Sequence, residues 1–359
     1  MAGSLTTYAF INAKLKTRIS KLLTDDFLRS LIHTQSLHES ITRLSESSYG
    51  HLSKIYDETG DLKMCELALY RTEIALYSEV ESHMKGGVLS FIQALATRYE
   101  IENLKNVLRI WFDRSVRRRD VATEALYLCR DQVHYRIDYE AILVSESLEN
   151  IALILGTTPY ADTVKSQATA VITKGSLFPL EIALDRHYFV NLFRTLESIG
   201  RRDGEVARRL IGAEVDLQNI SRLTRTLHYY DLDPDSIEEL IIPYGLNFEA
   251  ESLRQDFKEG RPPEAPSELL GEVITRRYPA LKALLSGGGQ ELASQLGLVE
   301  ELLEEIVMHE VRRALGGYPF TIGIVLSYFL LKQREMRRLV SILNAKRYNL
   351  REERAMRLL

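Results

Sequence analysis

The chain has 359 residues, of which 45% are hydrophobic and 27% are charged, and its formal net charge is -4. A chain of this length exceeds one ordinary hydrophobic core, so we expect two or three packed units. The slight negative charge argues against a general nucleic-acid-binding protein, because such proteins need a basic surface. Cys65 and Cys129 form no CxxC pair, and we expect both to be buried, reduced and structural.

The N-terminal segment does not have the pattern of a signal peptide, since Lys14, Lys16 and Arg18 interrupt its apolar residues. This predicts a cytoplasmic protein. Nearly every long segment that follows has helical periodicity, few strand signals and a composition rich in Leu, Ala, Glu and Arg. The sequence therefore predicts an all-α fold.

One signature recurs three times along the predicted helices, reading EIENLKNV, DLQNISRL and EMRRLVSI from residues 100, 216 and 335. The offsets are 116 and 119 residues, about a third of the chain. A second signature precedes each copy by 34, 35 and 34 residues, reading ELALYR, EIALDR and the looser ELLE. Two signatures at a fixed mutual spacing predict three helical repeats, near residues 1–120, 121–240 and 241–359.

Three positions of the first signature lie on one helical face, because they are three and four residues apart. We call their occupants the signature residues: Glu100, Asn103, Leu104, Asp216, Asn219, Ile220, Glu335, Arg338 and Leu339. A carboxylate and an amide beside aliphatic residues indicate a buried face whose polar pair holds a neighbouring helix end. A ligand site in each repeat is the alternative, and it fits less well because Arg replaces Asn in the third copy.

Residues 314–331 form an uncharged stretch of 18 residues, the lower limit for a membrane-spanning helix. Gly316, Gly317 and Pro319 interrupt it and leave about a dozen helical residues, or roughly 18 Å of helix. We expect no transmembrane span here. The sequence predicts instead a helix buried on most sides, with a charged continuation at 332–338 that emerges at a surface.

No catalytic motif is complete in the sequence, which lacks GxxxxGK[ST], GxSxG and a GxGxxG after a predicted strand. His309 and Glu310 begin an HExxH-like pattern, but Arg313 stands where the second zinc ligand is needed, so we interpret them as a helix surface pair. The acidic run at 231–235 resembles the start of a calcium loop, yet Ser236 occupies the position of its glycine. We expect no catalysis and no bound nucleotide, metal or cofactor.

The C-terminal segment, residues 334–359, contains eight Lys or Arg and three Glu, a local charge of +5. A solvated helix end is the simplest interpretation, and contact with an acidic partner is the next. Nucleic acid fits least, because aromatic residues for stacking are sparse there. Arg351 and Arg354 are the residues that we place against an acidic partner.

The order and coverage of these features resemble the C subunit of A-type and prokaryotic V-type ATPases, whose eukaryotic counterpart is the d subunit. YAFINAKLK at 8–16 is similar to the opening helix of that family, and residues 323–335 are similar to its final long helix. The AKRY sequence at 345–348 is similar to the basic-aromatic turn that follows. The turns that end at Tyr49 and Tyr160 are similar to the recurring Thr-x-Tyr turn of the family, whereas Arg338 departs from its usual Asn.

This resemblance implies a funnel of three helical lobes around a pseudo-threefold axis. It also implies a non-catalytic rotor subunit, peripheral on the cytoplasmic side of a membrane, with two sets of partners: central-stalk subunits equivalent to D and F, and the membrane proteolipid ring. Torque would pass through the chain to the ring that carries protons or sodium ions, or in the reverse direction during ATP synthesis. Two other classes stay open, a helical-repeat scaffold or nucleic-acid adaptor outside rotary motors, and an enzyme with a helical site.

Overall fold

The computed structural model describes residues 2–229, 240–248, 252–253, 255, 266–279, 296–352 and 356. These residues contain no β-strand, and the chain is all-α as the sequence predicts. It forms two compact units, unit 1 from Met1–Thr158 with Ile324–Leu359 and unit 2 from Pro159–Gly323. Unit 1 therefore combines both ends of the sequence. The three sequence repeats are a different division of the chain, and they stay a prediction.

Ten of the described helices contribute to unit 1. They are α1 (Ala2–Ile19), α2 (Asp25–Ile32), α3 (Leu37–Arg43), α4 (His51–Thr59), α5 (Leu62–Glu81), α6 (Gly86–Ser115), α7 (Ala122–Ala125), α8 (Tyr139–Val144), α9 (Leu148–Ile154) and α15 (Gly323–Arg347). Unit 2 contains α10 (Ala161–Lys174), α11 (Phe178–Thr195), α12 (Arg201–Tyr229), α13 (Pro266–Arg277) and α14 (Leu296–Gly316). Short 3₁₀ turns follow α3 and α11.

Local sequence sets the helix boundaries of unit 1. Thr24 caps α2 by accepting from the backbone N–H of Phe27 at 3.2 Å, which satisfies a donor that no helical carbonyl reaches. Gly60 ends α4 in the left-handed conformation, at a φ of 63°, where a side chain would be strained. Asp61 then caps α5 through the N–H of Lys63 at 2.9 Å. One glycine and one acid thus separate two helices without a longer loop.

The core of unit 1 packs α15 against helices from the beginning of the chain. Its fully buried aliphatic residues come from α2 to α5 on one side and from α15 on the other: Leu28, Leu31, Ile32, Ile41, Leu52, Leu62, Leu69, Leu339, Ile342 and Leu343. Each such side chain contributes about 1.5–3 kcal/mol when it leaves water. Cys65 lies in the same core, and both cysteines are free and buried, which confirms their predicted burial, whereas their structural role stays a prediction.

The core of unit 2 joins α12 to α13 and to the non-helical segment at residues 241–248. Its buried residues are Ile220, Leu223, Ile241, Phe248, Leu253, Leu270, Val273, Ile274 and Tyr278. Helix α12 also packs along α14, and α10 packs against α11. The segment at 241–248 thus lies against the middle of α12, the longest helix among the described residues of this unit.

The uncharged stretch at 314–331 is interrupted where its glycines and proline predict. Helix α14 ends at Gly316 and α15 begins at Gly323. Among the described residues, no helix is both long enough and apolar enough to cross a membrane. The charged continuation differs from its prediction, because Glu335 and Met336 are buried and only Arg337 is exposed. An acid can lie there because neighbouring groups hydrogen-bond to it.

Candidate functional site: the signature helices and the segments they hold

The first copy of the EIENLKNV signature, which begins at Glu100, holds residues 129–135 against α6. Both polar signature residues are buried, Glu100 at 0% and Asn103 at 3% exposure. The carboxylate of Glu100 accepts from the backbone N–H groups of His134 at 3.0 Å and Tyr135 at 2.8 Å. The side-chain amide of Asn103 donates to the backbone carbonyl of Cys129. One helical turn of α6 therefore fixes both ends of a loop that has no regular structure of its own.

The second copy of this signature, which begins at Asp216, holds residues 242–248 against α12. Asn219 makes two hydrogen bonds to the backbone of Ile242, donating to its C=O and accepting from its N–H, both at 2.9 Å. Asp216 accepts from the backbone N–H groups of Asn247 at 2.7 Å and Phe248 at 3.0 Å. The hydroxyl of Tyr278 donates to the same carboxylate at 2.5 Å. The contacts repeat the pattern of the first signature, with an amide at one end of the segment and an acid at the other.

Burial raises the pKa of Asp216 to about 6, although the hydrogen-bond donors around its carboxylate oppose the rise by stabilising the anion. The segment also requires glycine beside this acid. A Cβ atom at Gly245 would lie 2.2 Å from a carboxylate oxygen of Asp216 and 2.4 Å from the backbone oxygen of Phe248. The close approach of this segment to α12 therefore depends on a residue without a side chain.

The third copy of the signature, which begins at Glu335, holds residues 23–25, which come from the other end of the sequence. Glu335 of α15 accepts from the backbone N–H of Leu23 at 2.5 Å and from the hydroxyl of Tyr49 at 2.5 Å. Lys332 pairs with the same carboxylate at 2.7 Å. Arg338 donates to Asp25 at 2.8 Å. Arg in place of Asn therefore changes the partner from a backbone group to a carboxylate at the start of α2.

The aliphatic signature residues Leu104, Ile220 and Leu339 are fully buried. The structure thus brings the nine signature residues into three similar arrangements, each inside one unit. In each, the recorded contacts of the polar side chains go to the chain itself. This geometry favours the interpretation that the signatures hold neighbouring segments, which we keep as a proposal.

The ELALYR signature at residues 66–71 supports the EIENLKNV signature in unit 1. Arg71 of α5 donates to Asp131 at 2.7 Å, and Asp131 lies within the loop that Glu100 and Asn103 fix. Glu66 of the same helix accepts from Asn344 of α15 at 2.6 Å. The fixed spacing between the two signatures therefore has a physical basis here, because both helices contact one loop.

A partly buried carboxylate that sequence reasoning missed, Glu73 of α5, lies near charged residues of α6 and α15. Burial raises the pKa of Glu73 to about 7, against the opposing influence of Arg98, Arg337 and Lys332. Glu73 lies seven residues after Glu66 and therefore on the same helical face, which is the signal that could have identified it.

The remaining candidate residues lie at the surface or outside the described residues. Arg351 is exposed beyond the end of α15. Arg354 lies outside the described residues, as does the acidic run at 231–235. His309 and Glu310 differ in exposure: the His side chain is 73% exposed, whereas the Glu side chain is 12% exposed. Only His309 fits the predicted surface position.

The fold and the recurring signature define an all-α protein whose helices hold segments distant in sequence. The profile of the ATP synthase (C/AC39) subunit family matches residues 11–358, nearly the whole chain. The chain therefore belongs to this family of ATP synthase subunits, which confirms the resemblance noted from the sequence.

Three relatives illustrate the range of similarity. The A-type ATP synthase C subunit of Methanocaldococcus jannaschii is 22% identical, over 98% of this chain and 86% of that protein. The protein of the same name from Methanococcoides burtonii is 25% identical, over 98% of this chain and 94% of that protein. That from Thermococcus onnurineus is 23% identical, over 94% of this chain and 86% of that protein. The similarity is low in identity but covers almost the entire length.

Proposed function

We propose that the chain is the non-catalytic rotor subunit that links the central stalk of a rotary A/V-type ATPase to the proteolipid ring in the membrane. The observation that carries this proposal is the match to an ATP synthase subunit family over residues 11–358. Its partners are stalk subunits equivalent to D and F and the ring. The chain is peripheral, on the cytoplasmic side of the membrane, and passes torque between ATP hydrolysis or synthesis and the transport of protons or sodium ions.

The signature contacts suit such a role, because a part that transmits torque has to keep its shape under load. Glu100, Asp216 and Glu335 each fasten a segment more than twenty residues away in sequence to a long helix. Hydrogen bonds to a buried charged group contribute about 1.5–3 kcal/mol each, more than those between neutral groups. In unit 1, Glu79 also ties α1 to α5 by accepting two 2.8 Å hydrogen bonds from Arg18. These contacts make each unit resistant to local opening.

The proposal assigns no catalysis to this chain because the sequence contains none of the usual phosphate-binding or nucleophile motifs. ATP hydrolysis then belongs to other subunits. The helical scaffold or nucleic-acid adaptor remains the alternative function, and the family match favours the rotor subunit over it.

We further propose that Arg351 and Arg354 contact an acidic surface of the stalk. Arg351 is exposed, as a residue that meets a partner has to be. Reversal of both residues to Glu should weaken binding of the purified stalk subunits in low salt, because like charges would then face each other. Unchanged affinity would rule out this contact while leaving the rotor role intact.

The experiment that tests the function removes the chain from membranes that contain the assembled ATPase. We expect ATP hydrolysis to continue, ATP-driven ion transport to stop, and hydrolysis to become insensitive to an inhibitor that blocks the ring. Adding back the purified chain should restore transport and inhibitor sensitivity. Coupled transport in the complete absence of the chain would contradict the proposal, and co-purification with nucleic acid alone would support the adaptor.

A further inference from the structure

The first half of α12 presents an unusually basic side to solvent, which we call the arginine face. Arg201, Arg202 and Arg208 are exposed there, and Arg209 is half-buried. Glu205 is the acidic residue in the same arc, and it pairs with Arg201 at 3.0 Å. These positions fall within roughly 120° around the helix axis at 100° per residue. In a chain whose net charge is -4, this is a local concentration of positive charge.

Two of these arginines lie over aromatic rings. The guanidinium of Arg202 is 4.6 Å from the ring centre of Tyr318, and that of Arg208 is 6.0 Å from the ring centre of Phe193. Stacking of this kind orients the planar guanidinium while its N–H donors point outward at the edge. Such an arginine can donate two parallel hydrogen bonds to a carboxylate.

Exposed apolar side chains border the arginine face. Tyr244 is 42% exposed and Leu246 is 37% exposed. The ring of Tyr244 stacks on Phe193 at 4.5 Å, so Tyr244 and Arg208 share one aromatic support. Leu246 lies against Gly212 of α12, where its backbone N–H donates to the Gly212 carbonyl at 3.2 Å. Both apolar residues are thus within about one helical turn of Arg208.

The backbone that presents these residues is strained and anchored at both ends. Tyr244 has a φ of 75°, a conformation that is unfavourable for an aromatic residue. Asn219 fixes Ile242 before it, and Asp216 fixes Asn247 after it. Strain that the surroundings sustain is concentrated at functional sites. Here it holds Tyr244 partly exposed, with its ring against the buried Phe193.

We propose that Arg201, Arg202, Arg208, Tyr244, Leu246 and Tyr318 form a docking surface for an acidic amphipathic segment of a partner protein. An apolar side chain of that segment packs on Tyr244 and Leu246, and flanking carboxylates bind Arg202 and Arg208. Tyrosine and arginine are the residues that most often carry binding energy at protein interfaces. Fixed apolar anchors beside guanidinium groups fit a protein segment better than a lipid surface. This inference rests on the proposed function, which places the partner in the same ATPase.

The test measures binding of the purified chain to ATPase membranes from which the native chain has been stripped. Arg208→Glu and Tyr244→Asn should each weaken rebinding by at least about tenfold, or 1.4 kcal/mol. Asn is chosen for position 244 because it removes the aromatic ring and tolerates the positive φ of this position. Arg225→Glu is the matched control, since it reverses an exposed arginine on the same helix, and its rebinding should equal that of the wild type. Unchanged rebinding of Arg208→Glu would overturn the inference.

A photo-crosslinking phenylalanine analogue at position 244 then identifies the occupant in whole cells. The inference predicts a crosslinked peptide rich in Asp and Glu, lost when Arg208→Glu is added. Crosslinks only to lipid, nucleic acid or a second copy of this chain would overturn it, as would none. Failure of the wild-type chain to rebind stripped membranes counts against the proposed function instead. In that case the crosslink in cells alone tests whether the docking surface binds an acidic segment.

Discussion

Glu335 accepts a 2.5 Å hydrogen bond from the backbone N–H of Leu23, so the last long helix holds the segment that follows the first one. The hydroxyl of Tyr49 donates to the same carboxylate. Unit 1 is therefore closed by contacts between the two ends of the sequence, within a core to which both contribute.

Replacement of Glu335 by Ala should destabilise unit 1 by about 2–4 kcal/mol, because it leaves buried donors without an acceptor. Unfolding in urea followed by the fluorescence of Trp111 measures this change, since it is the single tryptophan of the chain and is buried in unit 1. Glu335→Gln keeps one acceptor and should lose less. Glu58→Ala, at an exposed position of α4, is the control, and an equal effect of the two Ala variants would contradict the role of Glu335.

Asn103→Ala should cost about 1–3 kcal/mol, because the carbonyl of Cys129 loses its donor in a buried position. Faster amide exchange in residues 129–135 should accompany the loss. Asn106→Ala, three residues along the same helix but exposed, serves as the matched control and should change neither quantity. If Asn103→Ala behaves like this control, the signature does not hold the loop.

Glu73 makes the stability of unit 1 depend on pH. Its pKa in the folded chain, about 7, exceeds the ordinary value of 4.5 because burial disfavours the anion. The neutral carboxyl group of Glu73 therefore contributes its full stabilisation of folded unit 1 below about pH 4.5, and this stabilisation is lost as the pH rises to about 7. Glutamine cannot ionise, so Glu73→Gln should become more stable relative to wild type across this range, by on the order of 1–3 kcal/mol.

Urea unfolding of both proteins at several pH values, read by Trp111 fluorescence, measures this difference. Comparison with the wild type at each pH removes the contribution of every other titrating group. A difference that is constant with pH, or that shrinks as the pH rises, would show that burial does not dominate at Glu73.

Gly245→Ala should destabilise unit 2 by more than about 2 kcal/mol, because the added Cβ collides with Asp216 and the backbone of Phe248. Calorimetry together with amide exchange in residues 242–248 measures the effect. Gly200→Ala is the control, since a Cβ atom there meets nothing within 4 Å. Similar melting of the two variants would contradict the close approach of this segment to α12.

The helical fold and the recurring signatures were predictable because both are properties of local sequence and its period. Gly316, Gly317 and Pro319 likewise predicted the break before α15, although this helix begins at Gly323, after Phe320. Helix breakers act on their own neighbours, so one sequence is enough to recognise them.

The partners of the signature residues were not predictable, because they depend on tertiary contacts. Nothing near Glu335 indicates Leu23, and nothing near Arg338 indicates Asp25. The charged residues 332–338 were expected at the surface, whereas the fold supplies donors that allow Glu335 to be buried. The arginine face also escaped prediction, because its apolar border depends on the backbone conformation of Tyr244.

The central claim is that this chain links the stalk to the ring, and electron cryomicroscopy of the ATPase isolated through a tag on the chain tests it most directly. The account predicts density for the chain between the stalk subunits and the proteolipid ring, in contact with both. An isolated complex without stalk and ring subunits, or density for the chain on a stationary part of the enzyme, would contradict it.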